Sequence, residues 1–233
     1  MAQIIAILGN KGGTGKTTNA HLLCYGLGLL GTHSVCLLTD THREPLEKHG
    51  RNYLPMDART PAQLAGLVKK LGVVDGWLGV IDGGANHPER DLALAQHAAL
   101  VILPFRESHE DIRTVIADLE RLPKSLALPS QWPTNAWQRD AANRNVANLM
   151  GKYRARMLDP LNAISASKLL LQHSFPDNIP TPLRNAARRF AAQVLDRLRL
   201  HYTQFELEPE DGSVAAAPST PPEPPPNLAF AAG

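Results

Sequence analysis

The sequence predicts an α/β fold: a doubly wound, mostly parallel sheet with helices on both faces. Three observations predict it. Four short apolar runs, at residues 3–8, 34–39, 77–82 and 98–104, lack strict alternation, as strands covered on both faces do. Segments of helical period lie between them, the order that gives parallel strands joined by crossover helices. A glycine-rich stretch, residues 9–18, sits where the first strand hands over to the first helix.

The elements follow in order. Residues 16–30 form the helix behind the glycine-rich stretch. Thr60-Pro61 opens a helix over 60–71, with a capping residue followed by a first-turn proline. In 106–122 Ile112, Val115, Ile116 and Leu119 fall on one helical face. The proline-interrupted stretch 126–137 has room for one short strand, 141–157 reads as helix, and 167–175 fits strand or helix. Over 183–200 Leu183, Ala187, Phe190, Val194 and Leu198 repeat at helical spacing. From Pro209 onward seven residues are proline, among Ala, Ser and Gly. The expected organisation is one domain over 1–205 and a disordered Pro-rich tail over 206–233.

Composition sets the class. The 233 residues are 43% hydrophobic, enough for a sizeable core. No apolar run reaches the length of a membrane span, and no basic leader precedes the first strand. Cys24 and Cys36 lie in apolar segments and read as buried free thiols of a reduced compartment, so a cytoplasmic protein is expected. The net charge of +2 hides an asymmetry: between Arg139 and Arg199 stand eleven Lys/Arg against four Asp. That excess of cations suits a polyanion.

The chemistry is concentrated in Gly9-Asn10-Lys11-Gly12-Gly13-Thr14-Gly15-Lys16-Thr17-Thr18. Strand, loop and helix start form the context of a phosphate-binding loop. Gly12, Gly13 and Gly15 let backbone amides approach an anion, and those of Thr14 to Thr18 at the helix start face it with the helix dipole behind them. Lys16 can reach the β- and γ-phosphates, and the Thr17 hydroxyl can hold Mg²⁺. The ordinary P-loop places Gly where this chain has Asn10. Lys-Gly-Gly-x-Gly-Lys-Thr instead resembles the ParA/MinD family of deviant Walker-A P-loop ATPases, over roughly residues 1–122. The resemblance implies ATP and Mg²⁺ as cofactors and a homodimer in which Lys11 reaches the partner's nucleotide. Asp82, closing an apolar strand near the loop, stands at the Walker-B position and is assigned to Mg²⁺ through water. In the family this Asp precedes Thr/Cys-Pro-Pro; here Gly83-Gly84-Ala85 follows. The family's second strand ends in Asp-x-Asp. Here Thr39 and Thr41 flank a single acid, so Asp40 is the switch acid or that acid is missing. Asn135 is the candidate adenine reader, against an ordinary turn Asn.

The leading functional expectation is a partition-type ATPase in plasmid or chromosome segregation or conjugative transfer. Its ATP-bound dimer would bind DNA non-specifically through Arg184, Arg188, Arg189 and Arg197, helped by an adaptor or ATPase-stimulating protein. The alternative is a nucleotide-binding adaptor of weak or no hydrolysis that recruits a partner. A MinD-like membrane role needs an amphipathic C-terminal helix, which the Pro-rich tail cannot supply, so no membrane partner is expected. Cys24 and Cys36 are misplaced for the cluster of a nitrogenase iron protein. The tail lacks the tyrosines of a tyrosine kinase. An amide-forming synthetase stays open, without a glutaminase-like nucleophile.

Overall fold

A computed structural model describes residues 3–40, 46–84 and 88–209. Six strands form one all-parallel sheet: β1 (Gln3–Ile7), β2 (His33–Leu38), β3 (Leu54–Asp57), β4 (Trp77–Asp82), β5 (Leu100–Phe105) and β6 (Ser125–Pro129), in the spatial order β3-β2-β4-β1-β5-β6. The strand carrying the glycine-rich loop lies inside the sheet, with Ile7 in register with Asp82.

Burial on both faces explains the unbroken apolar runs. Ile4, Ala6 and Leu8 point into one core with α2 (Pro61–Leu71), α3 (Pro88–His97), α4 (His109–Arg121) and α5 (Ala136–Met150). Ile5 and Ile7 point into the other, formed with α1 (Lys16–Leu29) and α6 (Thr181–Leu198). Cys24 and Cys36 are free and buried, as their surroundings implied.

Several elements depart from the sequence expectation. The edge strand β3 has four residues and contains Pro55. Proline gives up a ladder donor, which an edge strand tolerates, and the short run carries no period. Helix α2 begins on a full capping box: the Thr60 hydroxyl accepts from the Gln63 amide at 3.2 Å, and the Thr60 amide donates to Gln63 Oε1 at 3.1 Å. Helix α3 was not anticipated; Glu89 and Asp91 occupy its first turn. Helix α5 starts five residues earlier than expected, because Asn135 caps it, and ends at Met150, where the chain tightens into a 3-10 turn over Gly151–Arg156. The ambiguous stretch near 170 is a second 3-10 turn, Ser165–Leu171.

Helices α1 and α6 pack with almost no space between their backbones. A Cβ on Gly26 would stand 2.1 Å from the Ala187 carbonyl oxygen, so only glycine allows this approach. Residues 206–209, which composition groups with the tail, lie against α6: the Glu208 amide and carbonyl exchange hydrogen bonds with the Asn185 side chain at 3.0 and 2.7 Å. The rest of the expected tail, 210–233, lies outside the described residues.

Candidate nucleotide site

The glycine-rich loop leaves the C-terminal end of β1 and becomes α1 at Gly15. Gly15 has φ 92°, and its carbonyl accepts the first helical bond from the Asn19 amide at 2.8 Å. A side chain here would be strained by the backbone and would also meet Ser130 Oγ at 3.1 Å. The first-turn amides of α1 therefore open onto the loop with no side chain capping them, which is the electrostatics of an anion site.

Two carboxylates brace the loop from below. The Asn10 amide donates to Asp118 Oδ2 at 3.2 Å, and the Gly9 amide donates to Asp91. Asp91 is 1% exposed, and burial raises its pKa against the pull of the Gly9 amide and Lys16. Lys16 is buried, with Nζ 2.7 Å from the Lys11 carbonyl oxygen. Burial pushes its pKa down, while Asp91, Asp82 and Asp118 oppose the shift. The loop thus holds a lysine whose charge burial disfavours and neighbouring acids favour.

Lys11 Nζ sits on the acidic first turn of α4, 2.5 Å from Asp111 Oδ1 and 3.0 Å from Glu110 Oε2. Gly12 and Gly13 are exposed, Thr14 is buried, and Thr17 and Thr18 are half-buried on the first turn of α1. Asp82 ends β4 at 1% exposure, and its carbonyl accepts from the Thr39 hydroxyl at 2.6 Å. Thr39 therefore turns inward. Asp40, the next residue, is half-buried and lines a cavity together with Asp82. Thr41 and Ala85 lie outside the described residues.

Three of the sequence candidates are engaged within the chain. Asn135 caps α5, its side chain accepting from the Gln138 amide at 3.3 Å. Beside Gly15 and Thr18 opens a cavity of about 510 Å³, walled by Asn19, Ser130, Gln131 and Asn162. Gln131 holds φ 54°, unusual for a residue with a side chain. The sequence signal for this wall was a polar Ser-Gln directly after a buried strand. Arg184 is buried rather than presented on the surface: it is 2% exposed and donates to the Glu208 carboxylate, the Ile179 carbonyl and Thr181 Oγ1. Arg188 also spends its guanidinium on Glu208, at 2.5 Å. Arg189 and Arg197 are exposed, and Arg197 donates to the carbonyls of Ala155 and Met157 at 3.3 and 3.2 Å.

No protein-family model matches the chain, and no curated protein matches it. Solved structures do. The MinD cell division protein of Aquifex aeolicus aligns over 89% of this chain and all of its own, at 16% identity and TM-score 0.63. An ATP complex of McdA from Cyanothece aligns over 86% of this chain and 97% of its own, at 16% identity and TM-score 0.56. Cobyrinic acid a,c-diamide synthase of Mycobacterium smegmatis, with bound ADP and magnesium, aligns over 88% of this chain and all of its own, at 14% identity and TM-score 0.54. The chain has the fold shared by the MinD and ParA-type P-loop ATPases.

Proposed function

We propose that the chain is an ATP-driven switch of the partition type: it binds ATP with Mg²⁺, hydrolyses it slowly, and pairs with a second copy while ATP is bound. The observation that carries the reading is the β1–loop–α1 junction. There the uncapped amides of α1 and the buried Lys16 open on the same sheet edge as the buried carboxylate of Asp82. Thr17 and Asp82 fit a hard cation, since a hydroxyl and an acceptor-only carboxylate are oxygen donors of the type Mg²⁺ takes. Bound there, Mg²⁺ would offset charge on the phosphate oxygens. The cavity beside Gly15 and Thr18 would take the nucleoside. Asp40, next to Asp82, would orient the attacking water, and Lys11 would serve the partner's nucleotide.

The DNA reading narrows to exposed cations. Arg189 and Arg197 remain of the four arginines, and Arg197 lies beside the 3-10 turn that carries exposed Lys152 and Arg154. Such a surface would bind duplex without reading sequence and would weaken with salt. This fits a role in plasmid or chromosome segregation or conjugative transfer, with a partner that stimulates hydrolysis. The single acid at the end of β2 favours a second reading, a nucleotide-loaded adaptor of little or no turnover.

The test is nucleotide affinity, ATP turnover, sedimentation and binding to a random-sequence duplex at two salt concentrations, with Lys16→Ala as control. Self-association and DNA binding that require ATP and vanish in Lys16→Ala support the switch. ATP binding without turnover supports the adaptor. No nucleotide binding at all would sink both.

A further inference from the structure

Helix α5 carries the largest exposed apolar side chain among the described residues. Of the three tryptophans, Trp77 and Trp132 are buried, at 6% and 1% exposure, while Trp137 on the first turn of α5 is 75% exposed. The rest of the helix fixes which way that turn faces. Ala142 and Met150 are buried, Val146 packs against the core, and Asn143 Oδ1 accepts from Trp132 Nε1 at 3.1 Å. Trp137, Arg144 and Asn148 recur at i, i+7 and i+11, so they share the face turned from that anchor, and all three are exposed. The indole contributes nothing to the core, so the fold does not account for it.

Cations surround it. Between Ala136 and Arg156 stand Arg139, Arg144, Lys152, Arg154 and Arg156 against Asp140 alone. Lys152 pairs with Glu120 of α4 at 3.3 Å, and Arg156 turns inward onto the carbonyls of Ser125 and Leu122. The exposed side chains of Trp137, Arg139, Arg144 and Arg154 make no hydrogen bond, ion pair or ring contact among the described residues.

This combination selects a partner. Guanidiniums seek phosphates, an open indole seeks a flat π-face, and the exposed amides of Asn145 and Asn148 can meet base edges. A duplex supplies phosphates but keeps its base faces stacked inside. An acidic peptide supplies anions but no base. A single strand supplies both. Arg144 lies about 10 Å beyond Trp137 along the helix axis, within reach of one short strand stacked on the indole. We infer that α5 binds single-stranded nucleic acid, with a base stacked on Trp137 and the backbone running past Arg144. This surface does not rest on the ATP reading given above.

The experiment titrates the full chain, without nucleotide, with oligo(dT) of about 20 nucleotides, long enough to cover such a site. The matching dA·dT duplex and polyglutamate serve as rivals. Anisotropy and tryptophan emission are read at two salt concentrations. The single strand should bind at least about tenfold more tightly than the duplex, weaken with salt and quench emission, since Trp137 is the exposed indole. Trp137→Ala should weaken the strand about tenfold and remove the quenching, and Trp137→Phe should keep most of the affinity. Arg139→Glu/Arg144→Glu should weaken binding and flatten its salt dependence. Melting curves unchanged by these exposed substitutions show that the variants fold. No strand binding, equal affinity for the duplex or for polyglutamate, or strand binding untouched by Trp137→Ala overturns the inference. Lys16→Ala should bind the strand as the native chain does. Strand binding in a protein that fails to bind ATP would leave this surface standing and remove only the nucleotide reading.

Discussion

Lys11 and Asp111 are joined at 2.5 Å within one chain, so the lysine expected to serve a partner is held at home. Asp111 is well suited to the task. Burial raises its pKa, but bonds from Lys11, the Ser108 hydroxyl and the Arg106 amide outweigh that, and the carboxyl ends below its ordinary value. Two copies can exchange Lys11 only by breaking this ion pair. Asp111→Asn should lower the ATP concentration needed for self-association by about tenfold, the order of one charge-assisted hydrogen bond. Sedimentation velocity across an ATP titration reads it. An unchanged midpoint would show that the ion pair does not hold Lys11 back.

Glu208 should govern acid stability. It is the shared anion of Arg184 and Arg188, whose hydrogen bonds outweigh its burial and draw its pKa from 4.5 down to about 2. A depressed carboxyl contributes stability above its unfolded pKa and loses it as pH falls through the folded one. That contribution should therefore fade between about pH 4.5 and 2. Glu208→Gln removes the anion shared by two guanidiniums, one of them buried, and should cost about 3 kcal/mol at pH 7. Urea unfolding from pH 7 to 3 should show the gap between the two proteins closing as the pH drops.

Arg51 is fully buried, and backbone carbonyls and a phenol hydroxyl take its hydrogen bonds. Its guanidinium donates to the Glu47, Leu170 and Gln172 carbonyls and to Tyr53 Oη, at 2.8, 2.9, 2.5 and 2.8 Å, and lies over the Phe175 ring at 4.8 Å. It ties the chain after β2 to the second 3-10 turn. Lysine has one nitrogen and cannot span these acceptors. Arg51→Lys should cost about 3 kcal/mol, comparable to Arg51→Ala, in thermal or urea unfolding. A Lys variant within about 0.5 kcal/mol of the native protein would show that charge alone suffices.

Gly26→Ala should cost about 3 kcal/mol, since its Cβ would overlap the Ala187 carbonyl and force α1 and α6 apart. Gly66→Ala, on the open face of α2, should be neutral or mildly stabilising. Paired melting curves distinguish close packing from generic helix propensity.

Features carried by short runs of sequence were legible. The loop over residues 9–18, the strand leading to Asp82, and the amphipathic faces of α4 and α6 all announce themselves through spacing. What escaped depends on distant partners. β3 is a strand only because β2 offers its edge, and α3 shows too little periodicity to declare itself. Arg184 looked like a surface cation because its helix repeat was read without Glu208, 24 residues away and beyond the helix. Asn135 stayed ambiguous in the sequence because capping and base recognition ask for the same side chain, and its bond from the Gln138 amide is a contact that spacing does not announce. The acids under the loop, Asp91 and Asp118, come from α3 and α4 and carry no motif.

The close seating of α1 on α6 bears on the order of events during synthesis. The phosphate loop and its helix leave the ribosome early, but the surface that covers Tyr25, Leu27 and Leu30 is made last, by Phe190, Ala191, Val194 and Leu195. Until about residue 200 has emerged, the side of α1 that α6 covers stands bare to chaperones and to other nascent chains. A chain cut short before α6 should be captured in a chaperone-bound, protease-sensitive form, whatever the quality of its phosphate loop.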